Sequence, residues 1–199
     1  MFTCDVATID LTPMPLLSDH GTTTDSATSF SNREQNISEH SISKHSISEI
    51  GIAEWLLQIN DDISRELERG VNIRQLVAAR ACVIDELLIA LFKWFELDKT
   101  DLALFATGGY GRGELSLYSD VDILLLTPDE ITVDNKEKID NLVALLWDIG
   151  LEPALSVRSV NECLEAALDH TVASTLLEAR LLVGNEALQE VPHKIVNTQ

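Results

Sequence analysis

Two aspartates separated by one residue, with a glycine-rich segment before them, are the part of this chain best suited to chemistry. Asp120-Val-Asp122 opens an apolar stretch. Residues two apart in a β-strand share a face, so both carboxylates would project together, with their Cα atoms about 6.5 Å apart. Two carboxylates at that spacing can bridge hard divalent cations of the kind used in phosphoryl and nucleotidyl transfer.

The residues before the aspartates are suited to binding phosphate. Gly108 and Gly109 remove two side chains where a triphosphate would approach the backbone, which leaves amide donors exposed. Arg112 supplies a permanently charged, fork-shaped donor for phosphate oxygens. Ser119 could bind phosphate or cap the turn, and the glycines alone could mark nothing more than a tight turn. The sequence contains neither a Walker-type loop nor the dinucleotide-binding glycine pattern.

Apolar runs on both sides of this polar centre predict the elements that position it. Strands are expected over Leu102–Ala106, about Asp120–Leu126 and Leu151–Val157, where Pro153 places the third strand's start at an edge or a bulge. Apolar residues at intervals of three or four predict flanking helices. The predicted helices cover about 48–69, 73–91 and 139–149. Another follows the capping box of Ser159 and Glu162, and the last covers Thr171–Val183 and ends at Gly184. The order indicates an α/β or α+β core with helical additions.

Two arginines outside the central motif each allow two interpretations. Arg80 lies within the apolar stripe of the second helix. We favour an arginine whose stem packs while its head pairs with a carboxylate, over one aimed at the catalytic cleft. Arg158 shares a face of the third strand with Ser156. It is either a phosphate contact or a surface salt-bridge partner.

Composition narrows the classes of partner and the compartment. A net charge of -19 with only 14 Lys and Arg in 199 residues disfavours a nucleic-acid binder and favours a protein or small-molecule partner. Cys4, Cys82 and Cys163 lack metal-site spacing and suit a reducing compartment. No apolar run approaches the roughly 20 residues of a membrane span, and no secretory signal is evident. We therefore expect a cytoplasmic protein with no membrane partner.

The first 47 residues differ in composition from the remainder. They are rich in Ser, Thr and Asp and include a quasi-repeat of Ile-Ser and His-Ser pairs. Such a segment has little apolar surface to offset the entropy of ordering, so a disordered tail is predicted. A metal site at His40 and His45 is the less favoured interpretation. The folded domain is expected to occupy residues 48–199.

The spacing of the motif resembles a known family. The string GGYGRGEL over residues 108–115, followed by YSDVD over 118–122, resembles the bacterial PII uridylyltransferase/uridylyl-removing enzymes of the DNA polymerase beta superfamily. Flanking segments agree, at 69–81, 145–152, 156–159 and 176–184. The resemblance runs from about residue 50 to the C-terminus. It implies a polymerase-beta-like nucleotidyltransferase core with a small mixed sheet and flanking helices.

The resemblance also implies a reaction and roles for the site residues. That reaction is Mg²⁺-dependent transfer of UMP from UTP to a tyrosine of the PII signalling protein, with release of pyrophosphate. Asp120 and Asp122 would be the catalytic metal ligands, while Gly108, Gly109 and Arg112 would handle the triphosphate. Adenylylation of glutamine synthetase, and a fragment that binds a nucleotide or partner without turnover, are the alternatives.

Two departures from the family pattern qualify this expectation. Enzymes of the family are much longer and carry an HD-type hydrolase domain and two ACT domains, whereas this chain has no His-Asp dipeptide. We therefore expect an N-terminal piece or a truncated gene product that lacks the end of the transferase domain. Many polymerase-beta-like enzymes also place a third carboxylate on a neighbouring strand. Glu152 is the candidate for that role here.

Overall fold

The computed structural model describes residues 46–197, with side chains described from 51 to 196. The predicted tail, including His40 and His45, therefore lies outside the described residues, apart from its last two positions. Those two positions belong to the first helix. Within the described range the chain forms seven α-helices and four strands: α1 Ser46–Glu68, α2 Ile73–Trp94, β1 Ala103–Ala106, α3 Gly108–Gly111, β2 Val121–Thr127, α4 Val133–Asp148, β3 Pro153–Ser159, α5 Val160–Ala166, α6 His170–Leu177, β4 Arg180–Gly184 and α7 Val191–Asn197.

The four strands form one mixed sheet in the order β3-β2-β1-β4. β1 pairs antiparallel with both β2 and β4, and β2 pairs parallel with β3. The predicted small mixed sheet is confirmed, and β3 is an edge strand that begins at Pro153, as a proline without a backbone donor requires. The α/β class with flanking helices is confirmed as well.

Helices cover each face of the sheet, so the domain has one apolar core on either side of it. Alternation along β2 directs Val121, Ile123 and Leu125 into a core shared with α1, α2 and α4. Leu124 and Leu126 point to the other face, where they pack with residues of α5, α6 and α7. Asp122 lies on the same face as this second pair, at the end of β2 where the apolar packing stops.

One helix prediction was wrong over half of its length. The segment predicted as a helix from Thr171 to Val183 is helical only through Leu177, and Arg180–Gly184 forms β4. Leu181 and Val183 pair with β1, and this pairing outweighs the local helical spacing of the leucines. Gly184 ends a strand rather than a helix. Its φ of 111°, and the 2.3 Å between an added Cβ and the Leu102 carbonyl oxygen, exclude a side chain there.

Candidate active site

The segment that links the first strand to the carboxylate strand begins with a single helical turn. The glycine segment predicted as a turn is the short helix α3, which begins directly after Thr107. The Thr107 amide donates to the Asp122 carbonyl oxygen over 3.0 Å, so this backbone bond holds the start of α3 against β2. The side chain of Thr107 does not cap α3. The first amides of the turn therefore lie beside Asp122 without a side-chain cap.

Gly108 and the Asp122 carboxylate lie in contact. A Cβ added at Gly108 would stand 3.0 Å from Oδ2 of Asp122, and Gly108 has a φ of 56°. The positive φ favours glycine at this position, and a side chain there would press on the Asp122 carboxylate. At Gly109 an added Cβ would lie 3.3 Å from the Glu114 carbonyl oxygen, which is a milder constraint.

The two aspartates interact electrostatically, as their spacing predicts. Asp120 is exposed and stands just before β2, whereas Asp122 is half-buried. Burial, and secondarily the negative charge of Asp120, raise the pKa of Asp122 above its ordinary value. The pair thus carries a repulsion that a bound divalent cation would relieve.

The described residues supply two carboxylates to this position and no third one. No group of three or more His, Cys, Asp or Glu residues suited to a metal occurs within the described part of the chain. Glu152 is exposed, and its carbonyl oxygen accepts a hydrogen bond from the Val121 amide over 3.0 Å. The structure therefore does not bring Glu152 together with both aspartates. Two carboxylates still fit Mg²⁺, which commonly keeps waters and substrate phosphates as its other ligands.

The two remaining predicted phosphate contacts are engaged within the protein. Arg112 ends α3 and forms ion pairs with Glu178 and Glu114, while half of its side chain remains exposed. Ser119 donates its hydroxyl to the carbonyl oxygen of Ser116 over 2.9 Å, so it caps the turn, as one of its two interpretations predicts. A phosphate role for Arg112 would require it to exchange Glu178 for the ligand.

A cleft of about 500 Å³ opens beside Asp122 on the α6 side of the sheet. Its floor is formed by β2 and β3, whose register pairs Leu124 with Ser156 and Leu126 with Arg158. Ser156 and Arg158 therefore share a face, as their alternation predicts, and the register shows that Asp122 lies on that same face. α6 contributes one wall of the cleft through Thr171 and Thr175. Sequence reasoning did not predict this wall, because only the fold shows that these threonines lie beside β2 and β3. The polar residues that line the cleft are Thr107, Asp122, Ser156, Arg158, Thr171 and Thr175.

Arg80 holds the loop that precedes the aspartates. It is 7% exposed, and its guanidinium donates to the Ser116 carbonyl oxygen over 2.5 Å and to Asn60 Oδ1 over 3.4 Å. The predicted packed stem is confirmed. The head bonds to an amide and a carbonyl oxygen, whereas a carboxylate was expected. Burial lowers the pKa of Arg80 below its ordinary value.

We expect Gly108→Ala to weaken cation binding at the aspartates more than tenfold. The new methyl group would press on the Asp122 carboxylate, in addition to adopting a disfavoured positive φ that costs about 1–2 kcal/mol. Gly113→Ala is the matched control, because Gly113 has a φ of 77° and no atom within 4 Å of an added Cβ. Mn²⁺ titration followed by water proton relaxation would compare the two. Equal Mn²⁺ affinity in both variants would contradict the Asp122 contact.

Asp122→Asn is expected to stabilise the metal-free chain slightly at neutral pH. An aspartate whose pKa is raised on folding destabilises the fold above that pKa, and the penalty disappears below the unfolded pKa of about 3.9. The amide removes both the desolvated charge and the repulsion from Asp120. Urea unfolding with chelator would measure the gain, which should shrink as the pH is lowered. A less stable variant at pH 7 would contradict the electrostatic account.

The sequence of this chain is similar to those of known proteins. Residues 90–183 match the family described as Nucleotidyltransferase domain. The bifunctional uridylyltransferase/uridylyl-removing enzymes of Psychrobacter arcticus and Psychrobacter cryohalolentis are 73% and 71% identical to this chain over all 199 residues. The corresponding enzyme of Acinetobacter baumannii is 45% identical over 73% of the chain and 17% of its own length.

These matches extend further than the motifs alone indicate, but they cover part of each relative. The two Psychrobacter matches include the first 47 residues, which lie outside the resemblance read from the motifs. This chain spans about a fifth of the relatives' length, 21% for both. Residues 90–183 are a nucleotidyltransferase domain, and the chain is homologous along its length to bifunctional uridylyltransferase/uridylyl-removing enzymes.

Proposed function

We propose that this chain is the nucleotidyl-transferring part of a cytoplasmic enzyme that moves UMP from UTP to a tyrosine of a PII-type protein, with Mg²⁺ and release of pyrophosphate. The observation that carries the proposal is the contact between Gly108 and the Asp122 carboxylate, at the mouth of a polar cleft. It places a glycine turn suited to phosphate beside a carboxylate pair suited to a cation. The names and identities of the relatives support UMP as the transferred group.

Asp120 and Asp122 would hold the cation. Their mutual repulsion disfavours the ion-free site and so favours a bound divalent charge. When bound, Mg²⁺ supplies charge neutralisation at the phosphates and polarises the phosphoryl group under attack. The half-buried position of Asp122 limits water around its carboxylate, which strengthens its electrostatic interaction with a ligand.

The glycine turn and Arg112 would orient the triphosphate. Gly108 and Gly109 allow phosphate oxygens to approach the backbone closely, because neither residue carries a Cβ. Arg112 is half exposed and close to the turn, so its guanidinium can rotate from Glu178 to a phosphate. The exchange replaces the ion pair between Arg112 and Glu178 with one between Arg112 and a phosphate. The loss of the first pair reduces the net gain in binding free energy from the second.

The cleft would receive the remainder of the nucleotide. Arg158 pairs in register with Leu126, four residues along β2 from Asp122, which is about 13 Å at the rise of a strand. A nucleoside triphosphate held at the carboxylates can extend over that distance. We therefore assign Ser156 and Arg158 to nucleotide binding rather than to the cation.

A second candidate function is a nucleotide-binding segment that has no turnover by itself. The observation that favours it is the length of the chain, which is about a fifth of that of the relatives it matches. Nucleotide binding without transfer would be its signature. The two candidates therefore differ in one measurable step.

Transfer from labelled nucleotides to purified PII protein tests the proposal. UTP and ATP, labelled on the α-phosphate, are offered separately with Mg²⁺, with chelator in parallel reactions. The proposal predicts label on PII from UTP alone, lost with chelator. Label from ATP only would instead indicate an adenylyltransferase, and its acceptance of glutamine synthetase as target would then be tested directly. Nucleotide binding without any label transfer would favour the second candidate.

A further inference from the structure

Three residues from separate elements meet behind the glycine turn. Tyr110 of α3 is 1% exposed, and its hydroxyl donates to Oδ1 of Asp85 on α2 over 2.6 Å. Arg180, the first residue of β4, donates from Nη1 to Oδ2 of Asp85 over 2.7 Å and from Nη2 to Oδ1 over 3.1 Å. Asp85 thus receives a two-pronged guanidinium and a phenol. This arrangement is stronger and more directional than a single ion pair.

Arg180 also bonds directly to the backbone of the turn. Its Nε donates to the Gly111 carbonyl oxygen over 3.2 Å, and its Nη2 donates to the Tyr110 carbonyl oxygen over 3.3 Å. The Tyr110 carbonyl oxygen also accepts from the Gly113 amide over 2.9 Å, so Arg180 adds a second donor there, at the C-terminal end of α3 where a cation is favoured. The guanidinium also lies 5.8 Å from the centre of the Tyr110 ring. One arginine therefore binds the side chain and the backbone of the same turn.

The chemistry of this cluster keeps its bonds in one fixed pattern. Burial, followed by the nearby negative charge of Asp85, raises the pKa of Tyr110 well above its ordinary value. Tyr110 therefore remains a protonated donor to Asp85. The side chains of Asp85 and Arg180 are 19% and 20% exposed, so water competes only partly for their bonds.

The cluster and the carboxylates contact opposite ends of α3. Gly108, at the start of the turn, touches Asp122, while Tyr110 and Gly111 at its end bond to Arg180. Backbone bonds join the two ends, from the Gly111 amide to the Thr107 carbonyl oxygen over 2.8 Å and from the Arg112 amide to the Gly108 carbonyl oxygen over 3.3 Å. A displacement of the far end would therefore act on Gly108 through these bonds.

We propose that Asp85, Tyr110 and Arg180 are positioning residues that fix the glycine turn for phosphate binding. They act through the turn and do not touch the nucleotide. This inference rests on the proposed function, because the ligand they serve is a triphosphate at Gly108 and Gly109. The inference distinguishes cation binding from triphosphate binding. The carboxylates hold a cation without the cluster, whereas binding of the triphosphate requires the cluster.

Arg180→Lys tests the inference because it retains the charge and removes the two-pronged geometry. Mn²⁺ binding without nucleotide reports on the aspartates, and calorimetry with Mg²⁺ and UTP reports on the turn. We expect Arg180→Lys to weaken UTP about tenfold while Mn²⁺ affinity stays within about twofold, since small misplacements of a binding group are costly. Tyr110→Phe removes one bond from the cluster, and we expect it to weaken UTP about threefold with the fold retained. Tyr110→Phe therefore tests the inference even if Arg180→Lys does not fold.

Arg69→Lys is the matched control, since Arg69 pairs with Glu66 at the end of α1. UTP affinity in this variant should equal that of the unmodified chain. Unchanged UTP affinity in Arg180→Lys, or in Tyr110→Phe where only that variant folds, would overturn the inference, as would equal losses of UTP and Mn²⁺. Failure of the unmodified chain to bind Mg²⁺ and UTP would instead reject the proposed function, and this inference with it.

Discussion

Replacing Asp122 with asparagine is expected to reduce nucleotidyl transfer about a thousandfold. Asp122 is half-buried against Gly108 and faces the cleft, so it is the carboxylate best placed to hold a cation next to the phosphates. Metal ions supply several kcal/mol of charge stabilisation in such reactions, and each 1.36 kcal/mol corresponds to a factor of ten in rate. The amide has the same shape and cannot supply that charge.

Initial rates of label transfer from UTP to PII would measure this loss. Asp140→Asn is the matched control, because Asp140 is an exposed aspartate on α4 and its replacement makes the same change in net charge. It should retain the unmodified rate. A rate for Asp122→Asn within about tenfold of the unmodified chain would mean that Asp122 does not carry the cation.

Gly111→Ala is expected to destabilise the fold by about 3 kcal/mol or more, at the upper end of the overpacking range. An added Cβ would stand 2.1 Å from the Glu178 carbonyl oxygen and 3.0 Å from that of Ala106. Both contacts are with backbone, so rotation of a side chain cannot relieve them. Either α3 or the segment between α6 and β4 must move, and both support the candidate site.

Gly51→Ala provides the comparison for the effect of the extra methyl group itself. Gly51 lies within α1, and an added Cβ there meets no atom within 4 Å. This variant should be more stable than the unmodified chain by up to about 1 kcal/mol, because alanine favours helix over glycine. Urea unfolding would give both values. A Gly111→Ala chain as stable as Gly51→Ala would mean that the close packing of α3 against residue 178 is not present in solution.

The chemical core of the site could be predicted from the sequence because it is local. Gly108, Gly109 and Asp122 lie within fifteen residues. Because the strand follows the glycine segment so closely, the short connection brings the glycines near the carboxylate. Alternation alone also places Ser156 and Arg158 on one face of their strand. Apolar runs identified β1 and β2, which are buried along almost their whole length, and period-3.6 patterns identified most helices, since that period reflects burial on one face.

The remaining features depend on contacts between distant parts of the chain. β4 was predicted as helix, because only the pairing of Leu181 and Val183 with β1 shows that these residues belong to a strand. One of the two partners of Arg112 is Glu178, 66 residues away. Asp85 and Arg180 are 95 residues apart, and each resembles an ordinary charged residue in the sequence. No local pattern indicates these pairs.

No helix within the described residues is both long and apolar enough to cross a membrane.

Calorimetric titration of UTP, with and without Mg²⁺, into the unmodified chain and into Asp120→Asn/Asp122→Asn tests the central claim most directly. We predict that Mg²⁺ raises the UTP affinity of the unmodified chain at least about tenfold, since the cation would bridge carboxylate and phosphate. The double variant should bind UTP equally weakly in both conditions. The same Mg²⁺-dependent gain in both proteins would contradict the assignment of Asp120 and Asp122 as cation ligands.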